Sequence, residues 1–276
     1  MEVSTILMLL AMGAGAGILA GLLGIGGGMV MVPFLVMIFD REGYEPARVV
    51  QMALATSLTT ILFTSISSVR AHHRRGAVQW RLVRSLAPGI VLGSLLGARM
   101  VGYMPGQLLA GIFGGFIGWT AYRMFRGDRQ AECGVRGSLP GSAGLMAAGG
   151  MIGMLSALLG AGGGFITVPY LANRGVSFTQ AIATSAACGF PIALAGSLGY
   201  LLVGWWQGIP NGGFAYINLQ ALLTIVPMSM SFAPVGASLA HRLPVAHLKR
   251  AFSLLLFSLA GYMLYRALAP AFLRMF

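Results

Sequence analysis

The chain has very little acid. Six Asp and Glu stand in 276 residues against 18 Lys and Arg, and charged residues of either sign make up only 9% of the sequence. None occurs from 3 to 39, 49 to 69, 100 to 122, 137 to 173 or 175 to 241. A water-soluble domain carries a far larger charged fraction, so an ordinary soluble fold is excluded. Cysteine is scarce as well: Cys133 and Cys188 offer neither a metal spacing nor a disulfide framework. The pattern G-x-x-x-x-G-K-[ST] does not occur, which removes that route to ATP. No carboxylate falls inside an apolar run, so the Asp or Glu relay of many proton pumps is missing. Met1 to Thr5 lacks the basic start of a secretory signal, and the first apolar stretch reads as retained.

What is present is apolar: 57% of residues are hydrophobic and mean hydropathy is +0.82. About 20 such residues cross roughly 30 Å of hydrocarbon, so the charge-free runs hold several crossings and the fold class is an all-α polytopic membrane protein. A net charge of +12 would point to nucleic acid in a soluble protein. Here the basic residues flank apolar segments, as the positive-inside bias predicts, and the partner is a lipid bilayer, not nucleic acid.

The chain repeats itself. Leu22 to Leu35 (LLGIGGGMVMVPFL) returns as Leu158 to Leu171 (LLGAGGGFITVPYL), an offset of 136. Ala55-Thr56-Ser57 then matches Ala183-Thr184-Ser185, Pro88 matches Pro227, Gly97-Ala98 matches Gly236-Ala237, and Pro105 matches Pro244. The expected organisation is a first repeat at 1–125, a polar cytoplasmic linker at 126–141 and a second repeat at 142–276. The connection Arg70 to Arg84 is strongly basic while its counterpart Gly204 to Asn218 is uncharged; Gly102 to Gly106 is uncharged while His241 to Arg250 is basic. An element inside in one copy and outside in the other predicts two inverted-topology repeats, with both termini extracytoplasmic.

Clear spans run over about 48–69, 83–102, 106–125, 178–203, 219–240 and 248–268. Residues 3–39 and 137–173 must each return the chain to its starting side. Met29 to Phe39 would reach only about 16 Å as a helix, so each stretch reads as helix, glycine break and half-helix, giving five helical elements per repeat.

Non-helical backbone at membrane depth is tolerated only where protein or a watery cavity satisfies it. Gly26-Gly27-Gly28 and Gly162-Gly163-Gly164 leave their amides unfenced, and each run opens a half-helix with a positive N-terminal end. Amides converging without a fixed counter-charge suit a small anion that must also be released. The alternative is that the glycines only allow close helix packing. Pro33 and Pro169 kink or limit the half-helices. Thr56-Ser57 and Thr184-Ser185, near mid-span, would complete the anion's hydrogen bonding or else serve helix contacts. Gln51 and Gln180 lie one turn earlier but out of register by one. Arg99 is the most interior charge, a substrate contact unless it snorkels to the interface marked by Tyr103 and Pro105. His72, His73, Arg74 and Arg75 read as a topology determinant at the lipid headgroups. Trp205, Trp206 and Tyr216 read as an interfacial belt.

The glycine runs fail the dinucleotide fingerprint G-x-G-x-x-G. No buried His pair, Ser-Lys pair or two-Asp arrangement at helical spacing supports catalysis, so no enzyme, cofactor or metal is expected. Coupling, if any, rests on Na+ at backbone carbonyls or on H+ moving with the substrate. A passive anion channel with the same lining is the competing reading.

Together the duplicated GxGGGxxxVP, the Ala-Thr-Ser that follows in each half, Gly97-Ala98-Arg99, Arg242-Leu243-Pro244 and Leu248-Lys249-Arg250-Ala251-Phe252 resemble the TauE/SafE sulfite-exporter family, also called TSUP. The resemblance runs from about residue 8 to 268. It implies a permease for small sulfur-containing anions such as sulfite, sulfoacetate or other organosulfonates, in bacterial or archaeal inner membranes.

Overall fold

The computed structural model describes residues 3–23, 27–126, 139–208, 214–239 and 245–273, without the side chains of 23, 245–251 and 270–273. Ten helices occupy them: α1 (Val3–Leu23), α2 (Gly28–Arg41), α3 (Val49–His73), α4 (Trp80–Tyr103), α5 (Gly106–Phe125), α6 (Ser142–Leu158), α7 (Gly164–Ala172), α8 (Phe178–Trp206), α9 (Leu219–Leu239) and α10 (Val245–Leu273). Among the described residues there is no strand, only an isolated bridge between Phe214 and Ile217. Gly26 and residues 127–138 of the expected linker lie outside the described residues.

Six helices, α1, α3, α4, α8, α9 and α10, are long and apolar enough to cross a membrane. The sequence reading counted α5 as a crossing, and α5 is not among the six. The half-helices start where the glycines predict. Gly27 (φ +70°) and Gly163 (φ +76°) adopt the left-handed conformation, and α2 and α7 begin at the next residue. At 1.5 Å per residue, 14 and 9 residues reach only about 21 and 14 Å. Pro33 and Pro169 sit inside these half-helices at the same register.

α3 and α8 are the most buried of the long helices, and they pack on each other at the centre. The outside is apolar: Leu92, Leu96, Leu202, Leu223 and Leu254 are exposed, whereas Thr56, Ser57, Thr60, Thr184 and Ser185 are buried. A surface of that kind suits lipid and not water.

The halves are interleaved. α1 packs on α9 as α6 packs on α4; α3 meets α9 as α8 meets α4; α2 lies on α3 as α7 lies on α8; α5 pairs with α10. Exchanging the halves returns these same pairings, a pattern consistent with the inverted duplication. The atoms repeat as well. A Cβ on Gly97 would lie 2.5 Å from the Met154 carbonyl oxygen, and Gly236, its match, abuts the Ile18 carbonyl, which matches Met154. Glycines four residues apart carry these seams: Gly13, Gly17 and Gly21 on α1 face α9, and Gly89, Gly93 and Gly97 on α4 face α6. Without a hydrophobic drive between helices in lipid, such backbone approach supplies the van der Waals contact that holds them.

Gly93→Val is therefore expected to destabilise the protein by at least about 1–3 kcal/mol, because its side chain meets the Gly150 carbonyl. Gly115→Ala, which meets nothing within 4 Å, should stay within about 0.5 kcal/mol. Thermal unfolding in detergent distinguishes the two; equal loss in both would remove the packing argument.

Candidate functional site

The two breaks meet. A Cβ on Gly28 would strike the carbonyl of Gly160 and lie 2.8 Å from Ala161 Cα. Ser57 Oγ on α3 donates to that same Gly160 carbonyl at 2.8 Å, so one half's central helix satisfies the other half's broken backbone. Gly27 faces the Ala16 carbonyl of α1, where a Cβ would come within 2.6 Å. Gly27 and Gly28 thus serve close packing as well as helix initiation.

The Thr-Ser pairs are fully buried, and the hydroxyls of Thr56, Ser57 and Thr184 are engaged across the repeat. Thr56 Oγ1 accepts the Asn218 N–H at 3.0 Å, at the start of α9. Thr184 Oγ1 accepts the Gln79 N–H at 3.1 Å, at the start of α4. Each threonine meets one of the orphan donors at a helix start in the opposite half. Neither glutamine has this role: Gln51 Nε2 donates to the Met104 carbonyl, and Gln180 accepts from the Gln79 side chain.

The second break is described at every residue. Hydrogen bonding back to its turn begins at Ile166 and Thr167, whose N–H groups both reach the Gly163 carbonyl. Among the described residues, the four consecutive N–H groups of Gly162, Gly163, Gly164 and Phe165 have no backbone acceptor. Beside Gly162 lies a small cavity of about 10 Å³, room for about one water, bordered by Ala20, Ile61, Ser65, Ser68, Gly162, Ala186 and Gly189. Ser68 is buried, and its hydroxyl has no hydrogen-bond partner among the described residues. Buried hydroxyls are normally paired, so an orphan at a cavity wall marks a place for something to bind. Ser156 and Thr167, on α6 and α7, are likewise buried without a partner, and Ser156 Oγ would lie 2.8 Å from a Cβ on Gly163.

Three expectations change. Arg99 is not brought to this centre; it is exposed and lies over the Trp206 ring at 5.8 Å, the snorkelled arrangement. His72 is not at the headgroups but buried, with Nε2 3.2 Å from the Gly21 carbonyl. It shares a helical face with Ser68, one turn away, whereas its basic neighbours in sequence point elsewhere. Tyr216 is not part of an exposed belt, although Trp205 and Trp206 are exposed. Its phenol is buried and donates to Gln207 Oε1; burial raises its pKa above the ordinary value, against a smaller lowering by Arg48. Ser65 and Ser68 went unnoticed in the sequence. The signal was there, since Ile61, Ser65, Ser68 and His72 recur at the i, i+4, i+7, i+11 spacing of one helix face.

An apolar exterior around a core that carries buried hydroxyls beside broken helices defines a multi-pass membrane protein with the build of a transporter. The family model described as "Sulfite exporter TauE/SafE" matches residues 9–263, and the chain belongs to that family of membrane transporters. It is 36% identical over 256 residues to a probable membrane transporter protein of Haemophilus influenzae, covering 92% of this chain and 96% of that one. A probable membrane transporter protein of Methanocaldococcus jannaschii is 28% identical over 272 residues, 93% and 92% of the two chains. The probable membrane transporter protein YdhB of Bacillus subtilis is 26% identical over 240 residues, 85% and 90%. No solved structure matches.

Thr56→Val and Thr184→Val each strand a helix-start N–H and should cost about 1–3 kcal/mol, while Thr56→Ser and Thr184→Ser retain the acceptor and most of the stability. Melting temperatures of the four variants check this; equal losses for Val and Ser would show that the hydroxyl bond is not what matters.

Proposed function

We propose that the protein is a secondary transporter of a small anion, sulfur-containing by its family (sulfite, sulfoacetate or another organosulfonate), working by alternating access in the cell's inner membrane. The basic connection Arg70 to Arg84 faces the cytoplasm on this reading, and both termini lie outside. The observation that carries the proposal is the second break: four successive amides without backbone acceptors, beside a cavity with an unpartnered buried hydroxyl. Such a set offers hydrogen to an oxyanion and holds no permanent positive charge that would trap it. Gly26, Gly27, Gly28, Gly162, Gly163 and Gly164, with Thr56, Ser57, Thr184 and Ser185, frame the site. The threonines and Ser57 act from behind, by fixing the helix starts and the Gly160 carbonyl.

Counterflow of labelled sulfite, sulfoacetate and methanesulfonate into proteoliposomes tests the proposal. The expected result is accumulation of at least one tracer above empty vesicles, without single-channel current; no accumulation of any removes the reading, and unitary currents replace it with the channel.

In Gly163→Val the new side chain would lie 2.5 Å from Ile192 Cδ1 at a φ of +76°, a conformation that β-branched residues resist. Uptake should fall to the level of empty vesicles while the protein still inserts. Uptake at the wild-type rate would contradict this placement of the site.

A further inference from the structure

The duplication places two side chains in equivalent positions and gives them different chemistry. His72 on α3 and Tyr200 on α8 correspond at the offset of 128 that relates Thr56 to Thr184. His72 Nε2 bonds the Gly21 carbonyl of α1, and Tyr200 OH donates to the Ala157 carbonyl of α6 at 3.0 Å. Gly21 and Ala157 themselves correspond at the offset of 136 that relates the two breaks. Each aromatic side chain thus ties a central helix to the last turns of the helix that runs into a glycine break. A carbonyl only accepts, so Nε2 of His72 carries a hydrogen, and the imidazole has room in its chemistry for one more proton; a phenol gains no charge near neutral pH.

The surroundings differ in the same sense. Ser65 and Ser68, beside the cavity, correspond to Ala193 and Gly196, and the space at Gly196 is taken by Leu58, 2.8 Å from where a Cβ would be. The cavity and its two serines lie on the His72 side. Ala20, on its border, adjoins Gly21, and Ser68 is one turn from His72, about 6 Å between Cβ atoms. No charged residue lies on α1, α7, α8 or α9, where Tyr170, Cys188 and Tyr200 are the other titratable groups. On its own helix Arg70, His73, Arg74 and Arg75 follow the turn; the Arg75 guanidinium is held on the Ala237 carbonyl at 2.7 Å, and His73 accepts from Trp80 Nε1.

The geometry points to a joint site for a proton and an anion: the anion in the cavity of Ser65, Ser68 and Gly162, and the proton on His72 one turn away. This rests on the anion-transport reading and adds the coupling ion. A charge on His72 in a poorly solvated interior attracts the anion beside it, and by linkage the bound anion draws the proton on to the same extent. Proton and anion then load together from the face of the basic connection.

The test uses purified wild-type protein with sulfate, methanesulfonate and sulfoacetate, whose charge does not change between about pH 6 and about pH 8, the range over which histidine titrates. Apparent affinity is read from the concentration dependence of the melting temperature. Wild type should bind at least one of these anions about tenfold more tightly at the lower pH. His72→Gln, whose amide still offers a donor to the Gly21 carbonyl, should bind equally at both. Ser68→Ala should weaken binding at both pH values and keep the ratio, and Tyr200→Phe should keep it too. A wild-type ratio retained in His72→Gln, or no ratio in wild type, overturns the proton site and leaves the anion site standing. Failure of all three anions to bind wild type at either pH overturns the anion site itself. Independently of any variant, adding the bound anion to weakly buffered wild-type protein near neutral pH should draw protons from solution; binding without uptake overturns the coupling.

Discussion

A main chain that leaves the helix inside a bilayer must have its N–H and C=O groups met by protein or water, because lipid offers nothing. The architecture follows from that requirement at two places. Each half breaks its first hairpin at a glycine run, and the partners come largely from the opposite half: Ser57 for the Gly160 carbonyl, Thr56 for the start of α9, Thr184 for the start of α4. Neither half is complete alone. The helix leading into each break, α1 or α6, is pressed against the other half's α9 or α4 through glycines that let the backbones touch. The repeats are therefore sequence units and not separable domains.

Much of this was legible in the sequence because the signals are strong in one dimension. Missing charge locates the spans, glycine pairs with proline six residues into the half-helix locate the breaks, and the repeat shows which residues correspond. Contacts across the duplication were not legible. Thr56 and Thr184 were recognised as a matched pair, but only the structure shows that each accepts an N–H from the loop entering an opposite helix, a relation with sequence separations of 162 and 105. His72 was hidden by its neighbours: within a run of basic residues it reads as one more surface cation, while the turn of the helix carries it inward and leaves Arg74 and Arg75 exposed. Ser65 and Ser68 were hidden for the opposite reason. Inside a membrane protein the interior is scarcely more polar than the exterior, so a serine stripe on an apolar helix raises no contrast.

An exact duplication would give the two faces of a transporter equal claims on the substrate, and nothing in it would set a direction or a driving ion. Here the frame is duplicated and the lining is not. Ser65 and Ser68 correspond to Ala193 and Gly196 in the other repeat, and His72 corresponds to Tyr200. The backbone bond made by each aromatic pair member is kept, so the mechanical tie to the helix before the break is common to both sides. The ability to take up charge belongs to one. On the alternating-access reading, two nearly degenerate states are then separated by whatever binds one lining better than the other. A solute or a proton with no preference between the linings shifts nothing, however tightly it binds. The substitutions that break the symmetry, and not the motifs that establish it, are accordingly where directionality in this chain has to reside.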